Sequence, residues 1–181
     1  MPPAVLTIGH SNHALERFLA LLAQHGVEAL VDIRRFPGSR KHPHFHRDNL
    51  AGALPKSGVE YHWLEALGGR RHKQREDSPN LGLENKGFRN YADYMLSDEF
   101  REGVEKLLEV ARPKRTAIMC AEGRFWQCHR RLVSDFLLAG GHAVEHIMPN
   151  GQHKLHVLTP GAVVAEGRVT YPAPRNLFDS E

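Results

Sequence analysis

The chain has 181 residues, 41% hydrophobic and 25% charged, enough for one domain with a substantial core and too apolar for a disordered chain. Its net charge of +3 and pI near 9.0 permit contact with phosphates, but they fall short of the dense basic surface that makes nucleic acid the default partner. The opening MPPAVLTIGHSN lacks the flank and apolar core of a secretory signal, and no run approaches the roughly 18 apolar residues of a membrane span, so a cytoplasmic protein is expected.

Ala4 to Ile8 reads as a first strand, and Gly9-His10-Ser11-Asn12 as a turn in which Ser11 or Asn12 can cap the next helix. Leu15, Phe18, Leu19 and Leu22 give that helix an apolar face, with Gly26 as its stop. A second buried strand, Ala29 to Ile33, follows, and strand-helix-strand spacing predicts a parallel pair with a right-handed crossover. The loop after it carries Arg34, Arg35, Arg40 and Lys41, then alternating His42, His44 and His46. Such alternation invites a metal reading, but a solvated loop is preferred.

Arg47 to Pro55 is consistent with a short helix, and Val59 to Trp63 with a third strand. From 68 to 87 the pattern fails: this polar, glycine-rich and charged insertion is about the length at which a loop is either functional or disordered. Its run Gly69-Arg70-Arg71-His72-Lys73-Gln74-Arg75 suits either a mobile surface loop or, with Trp63 and Phe88 near it, a nucleic-acid contact. Phe88 to Leu96 is helical, and Ser97-Asp98-Glu99 opens another helix through Val110, with acidic residues at its positive end.

The most informative stretch is Arg115 to Asp135. An apolar strand at Thr116 to Met119 breaks into Cys120-Ala121-Glu122-Gly123, and a helix then begins near Cys128 with His129, Arg130 and Arg131 in its first turns and Gly140-Gly141 as its stop. Ala143 to Met148 supplies a fifth strand, and 154–158 is a short strand-like run. Residues 162–181 form a small hairpin about Glu166-Gly167 and a tail expected to fray from Asn176. One α/β domain results, a mostly parallel sheet of about five strands flanked by helices.

In open sheets of this kind ligands bind beyond the carboxyl ends of the strands. That edge collects His10, Ser11, Asp32, Arg34, Cys120, Glu122 and His153. Cys120 is a candidate nucleophile if arginines, His129 or the helix amino end favour its thiolate; the alternative is a small buried residue. No arginine stands six residues after either cysteine, so a tyrosine-phosphatase loop is excluded. Cys120, Cys128 and His129 with His10 or His153 offer zinc or iron ligands, yet adjacent Cys128 and His129 point about 100° apart on a helix and do not share one ion easily. A Cys120–Cys128 redox disulfide is a further alternative.

Glu122 suits a general base or a turn carboxylate paired with Arg130 or Arg34, and His129 and His10 suit acid–base roles or backbone ties. Arg34, Arg40 and Arg130 suit recognition of phosphate or carboxylate; Arg130 suits equally a buried tie to Asp32 or Asp135. Trp126 is either packing or a stacking platform. No glycine-rich dinucleotide fingerprint, Walker loop or HExxH motif is present, so no cofactor class is singled out.

The stretches TIGHSN at 7–12, VDIRRFPGSRKHPHF at 31–45, GFRNYADYM at 87–95 and CAEGRFWQCHRRLVSD at 120–135 resemble the motifs of the domain of unknown function 488 family. The resemblance implies a compact Rossmann-like α/β fold and a shared polar site at His10, Asp32, Arg34, Arg40, Cys120, Glu122, Cys128, His129 and Arg130. Together these readings give an enzyme acting on an anionic, phosphate-bearing substrate, a nucleotide or nucleic acid, with Cys120 reactive, Glu122 and His129 handling protons, and Arg34, Arg40 and Arg130 holding the anion. The alternatives are a non-catalytic nucleotide- or nucleic-acid-binding module and a metal-dependent enzyme.

Overall fold

A computed structural model describes residues 1–175; the expectation for 176–181 lies outside the described residues. Strands β1 (Val5–Gly9), β2 (Ala29–Asp32), β3 (Glu60–Trp63), β4 (Thr116–Cys120) and β5 (Val144–Ile147) are parallel, and β6 (His153–Leu155) pairs antiparallel with β5. The sheet order is β3-β2-β4-β1-β5-β6. The strand-like run expected at 154–158 is a sixth, edge strand, displaced to His153–Leu155. β1 and β2 are not neighbours as the strand-helix-strand spacing predicted, because β4 lies between them. All five residues of β4 are buried, and a strand so apolar is served best with another strand on each side and helices on both faces.

The alternation of β4 feeds two cores. Ala117 and Met119 join Leu6, Phe18, Leu30 and Leu50 beneath α1 (Leu15–Gln24) and α2 (Arg47–Ala53). Ile118 and Cys120 join Val31, Tyr91, Phe100 and Leu132 beneath α3 (Lys86–Tyr94), α4 (Asp98–Ala111) and α5 (Arg130–Ala139). The cap of α4 is as read, with Ser97 accepting from the Phe100 N–H. That of α1 is not: Ala14 occupies the cap position without a side-chain bond, while Ser11 takes a left-handed φ of 49° in the turn before it.

No helix or strand lies between a single 3₁₀ turn at Glu65–Leu67 and α3. This segment is tied to the domain through Asn80, which donates to Asp93 at 2.6 Å and accepts from the Tyr171 N–H at 2.8 Å. The hairpin of β7 (Val163–Ala165) and β8 (Arg168–Thr170) turns on Glu166 and Gly167, both at positive φ, as a two-residue turn that matches strand twist requires. No helix among the described residues is long and apolar enough to cross a membrane.

Candidate functional site

The turns after β1 and β4 are joined by backbone bonds. The His10 N–H donates to Cys120 O and the Ser11 N–H to Ala121 O, each at 2.9 Å. A Cβ on Gly9 would stand 1.8 Å from Glu122 O, so only glycine lets the two turns meet. Beside them opens a cleft of about 680 Å³ at the carboxyl edge of the sheet, where the doubly wound topology places ligands. His10, Ser11, Arg34, Cys120, Glu122, Cys128 and His129 line it, as do Arg35, Lys41 and Arg70; Glu122 is its one acidic residue.

Cys128 lies at the foot of the cleft and is 5% exposed. A 3₁₀ turn at Phe125–Gln127 delivers it immediately before α5, where the Arg130 backbone N–H points at its Sγ from 3.4 Å. Burial pushes the Cys128 thiol up, but the neighbouring Cys120 thiol, the Arg130 guanidinium and the Arg130 N–H outweigh it, and its pKa is lowered. Cys120 goes the other way: burial and the Cys128 sulfur hold its proton on against the pull of Arg130 and His129, well above the usual thiol range. The thiolate-favouring contacts expected around Cys120 therefore gather on Cys128. Both cysteines are free.

His129 Nδ1 lies 3.4 Å from Cys128 Sγ, and its Nε2 2.9 Å from Ile33 O. With Nε2–H donating to that carbonyl, Nδ1 is left as acceptor toward the sulfur. Burial lowers the His129 pKa, so the ring is neutral near pH 7. Tyr91 packs edge-on against it at 4.9 Å, and Gly69 closes the other side, where a Cβ would come 2.9 Å from Nδ1.

Asp32 does not face the cleft. It is fully buried and accepts from Arg34 Nε at 2.9 Å, Arg34 Nη2 at 2.7 Å and Tyr61 OH at 2.6 Å. It thereby fixes Arg34, whose Nη1 lies 3.4 Å from His10 Nε2. His10 stacks on Phe45 with centroids 4.5 Å apart, and burial lowers its pKa to about 4, so it too is neutral near pH 7. The Arg40 side chain is exposed and does not line the cleft; Lys41 does. The Glu122 side chain is exposed and enters no ion pair among the described residues, so the pairing with Arg130 or Arg34 is not formed. Its carbonyl instead accepts from Arg130 Nη2 at 2.8 Å.

Arg130 is completely buried with no carboxylate in ion-pair range among the described residues, and its Nε has no hydrogen-bond partner. It is tied to Asp135 only through three intervening side chains. Arg130 Nη1 donates to Thr7 Oγ1 at 3.3 Å, Thr7 lies 2.7 Å from His146 Nδ1, His146 Nε2 2.9 Å from His156 Nδ1, and His156 Nε2 2.7 Å from Asp135 Oδ1. Every link is satisfied if each donor points toward Asp135. Burial would raise that carboxyl, but His156, Tyr171 and Thr159 outweigh it and hold it below the usual range. Burial lowers the His146 pKa to about 3. The sequence reading did not include Thr7, His146 or His156, although a threonine and a histidine in the middle of apolar strands signal a buried polar contact.

His153 is exposed and pairs with Glu145, away from the thiols. Two of the three loop histidines have structural partners: His44 Nε2 lies 2.8 Å from His13 O, and His46 accepts from the Asp48 N–H at the start of α2, while His42 lines the cleft. Among the described residues no group of three His, Cys, Asp or Glu side chains is placed to hold a metal ion. The basic run at 69–75 does not form a stripe. The Arg71 guanidinium turns inward to Glu65 O and the Tyr94 ring, Lys73 and Arg75 pair with Glu76 and Asp77, and Arg70 alone reaches the cleft.

No curated protein matches the chain, and neither does any solved structure. A family model described as Domain of unknown function DUF488 matches residues 14–137, more than half of the chain, from the residue before α1 through most of α5; β1 and its turn precede the match, and β5, β6 and the hairpin follow it. The chain belongs to the domain of unknown function 488 family.

Proposed function

We propose that this protein is a cytoplasmic, thiolate-dependent enzyme acting on an anionic, phosphate-bearing substrate in the cleft at the carboxyl edge of the sheet. The observation that carries the reading is the environment of Cys128: a thiol with lowered pKa at the foot of a cleft that offers Arg34, Arg35, Lys41 and Arg70 to an anion. In this reading Cys128 is the nucleophile. His129 Nδ1 takes its proton and returns it to the leaving group, Ile33 O holds the ring for that purpose, and Arg34 meets the substrate's charge. Cys120 supplies a proton-bearing neighbour that stabilises the thiolate, and two free thiols fit a reducing compartment. Arg130 acts from behind as the buried cation opposite the sulfur.

Alkylation by iodoacetamide as a function of pH tests this. Cys120→Ser should leave a reactive thiol titrating below the ordinary cysteine value, and Cys128→Ser should abolish it. A protein whose rapid alkylation survives Cys128→Ser, or whose Cys128 titrates at or above the ordinary value, overturns the assignment.

A further inference from the structure

Three large aromatic side chains stand out along the edge that carries the cleft. Trp63, Phe36 and Trp126 are 36%, 63% and 42% exposed. Single exposed apolar residues need no explanation, but each of these has an arginine over its ring: Arg47 at 4.6 Å, Arg35 at 5.4 Å and Arg124 at 6.0 Å. Trp63 ends β3, and its indole N–H donates to Arg34 O at 2.8 Å, which sets the ring's orientation. Phe36 follows β2 and lines the cleft. Trp126 adjoins Phe125, whose ring stacks on His146 of β5 at 3.6 Å. Trp63 ends β3 and Trp126, through Phe125, reaches β5, four inter-strand steps or roughly 19 Å apart at about 4.8 Å per step; neither tryptophan lines the cleft, whose wall carries Phe36. The same wall carries Arg35, Lys41 and Arg70.

We infer that this edge binds single-stranded nucleic acid, the three rings stacking on unpaired bases while Arg35, Lys41 and Arg70 meet phosphates, so that the substrate presented to Cys128 is a polynucleotide. The chemical half of that statement rests on the thiolate reading above; the binding half does not. Single strands fit because an unpaired base offers the π-face that a ring can stack on, whereas a duplex hides it. A free nucleotide spans too little of the edge to engage both Trp63 and Trp126. An arginine resting over a ring can swing to a phosphate and leave that face to a base.

The test uses labelled 12-nucleotide oligothymidylate and oligouridylate, with fluorescence anisotropy at low salt. At least one should bind, with affinity falling as salt rises by a slope of about −0.7 for each phosphate contact. Phe36→Ala and Trp126→Ala should each weaken binding about tenfold, in keeping with one stacked base. Lys41→Ala should lessen the salt slope by about 0.7. These side chains lie at the surface, and unchanged circular dichroism would exclude misfolding. The inference is overturned if neither oligonucleotide binds at low salt, if duplex of equal length binds as tightly, if thymidine monophosphate binds as tightly as the 12-mer, or if both aromatic variants bind like the parent. Alkylation reads the Cys128 thiol and anisotropy reads binding by the surface rings and cations, so loss of the thiolate reading and loss of this inference are separate results.

Discussion

His129 faces Cys128 with one ring nitrogen, at 3.4 Å, and gives the other to Ile33 O at 2.9 Å. The carbonyl at the end of β2 therefore decides which nitrogen is free to take the thiol proton, a positioning role that a carboxylate or amide fills in other thiol–imidazole pairs. Two neighbours on the same strand edge thus have separate duties, since the adjacent Asp32 spends both oxygens on Arg34 and Tyr61.

Gly69→Ala tests that positioning with both the thiol and the imidazole kept in the sequence. The added Cβ would fall 2.9 Å from Nδ1, too close for the ring to stay. With the ring displaced, the thiol loses the base that draws off its proton as it attacks. Iodoacetamide should then react with Cys128 about tenfold more slowly at pH 7, with the circular dichroism spectrum kept. An unchanged rate would mean that His129 does not govern the thiol.

The junction of the two turns predicts a much larger effect on stability. At Gly9 a methyl group would overlap the backbone of Glu122 and Gly123, neither of which can rotate away as a side chain would. Separating the turns breaks the His10 to Cys120 and Ser11 to Ala121 hydrogen bonds as well. Gly9→Ala should cost roughly 3–5 kcal/mol in urea denaturation, the range of severe backbone and core lesions. A loss below about 1 kcal/mol would show that the turns part easily.

How much of this was legible in the sequence depends on how local the cause is. β4 announces itself because Thr116 to Cys120 is apolar and short, and α4 because Ser97 precedes an acidic first turn. The insertion of β4 between β1 and β2 was not legible, since sheet order follows from which strand needs covering on all sides, a comparison across the whole chain. The cysteine motif located the cleft, but the choice between its two thiols turns on a 3₁₀ turn that aims one backbone N–H at Cys128. Arg40 and Lys41 were likewise indistinguishable as adjacent cations in a loop; backbone direction alone puts Lys41 on the cleft wall.

Stability should fall on mild acidification. His10 and His146 have pKa values lowered to about 4 and about 3 by burial, against 6.5 as the ordinary value. Between those limits the unfolded chain binds protons that the folded chain refuses, so stability is full above pH 6.5 and drains as pH falls toward 4. At about 1.4 kcal/mol per pK unit, each histidine contributes on the order of 3 kcal/mol across that window. Asp135, held below its ordinary value, adds its own loss only at lower pH, below about 3.8. Thermal melting between pH 7 and 4 checks this, and His10→Asn should flatten part of the slope. A melting temperature constant over that range would contradict the neutral, buried state of both rings.

The last prediction concerns Arg130 and Asp135, two buried opposite charges on one helix joined through Thr7, His146 and His156. In low dielectric a charge left without compensation is costly, so Asp135→Asn should destabilise by about 3 kcal/mol or more. Tyr171→Phe, which removes one donor at 2.6 Å from the same carboxylate, should cost about 1.5–3 kcal/mol. Thr7→Val breaks the chain next to Arg130, three links away from Asp135. If the donors all point toward Asp135, each bond polarises the next, and removing either end weakens what the other end holds. A double-mutant cycle of Thr7→Val with Asp135→Asn should then show a coupling of about 1 kcal/mol between residues that do not touch. Strict additivity would reduce the relay to four independent hydrogen bonds. Coupling would show instead that the cation behind Cys128 is balanced, through three intervening side chains, by a carboxylate further along the same helix, α5.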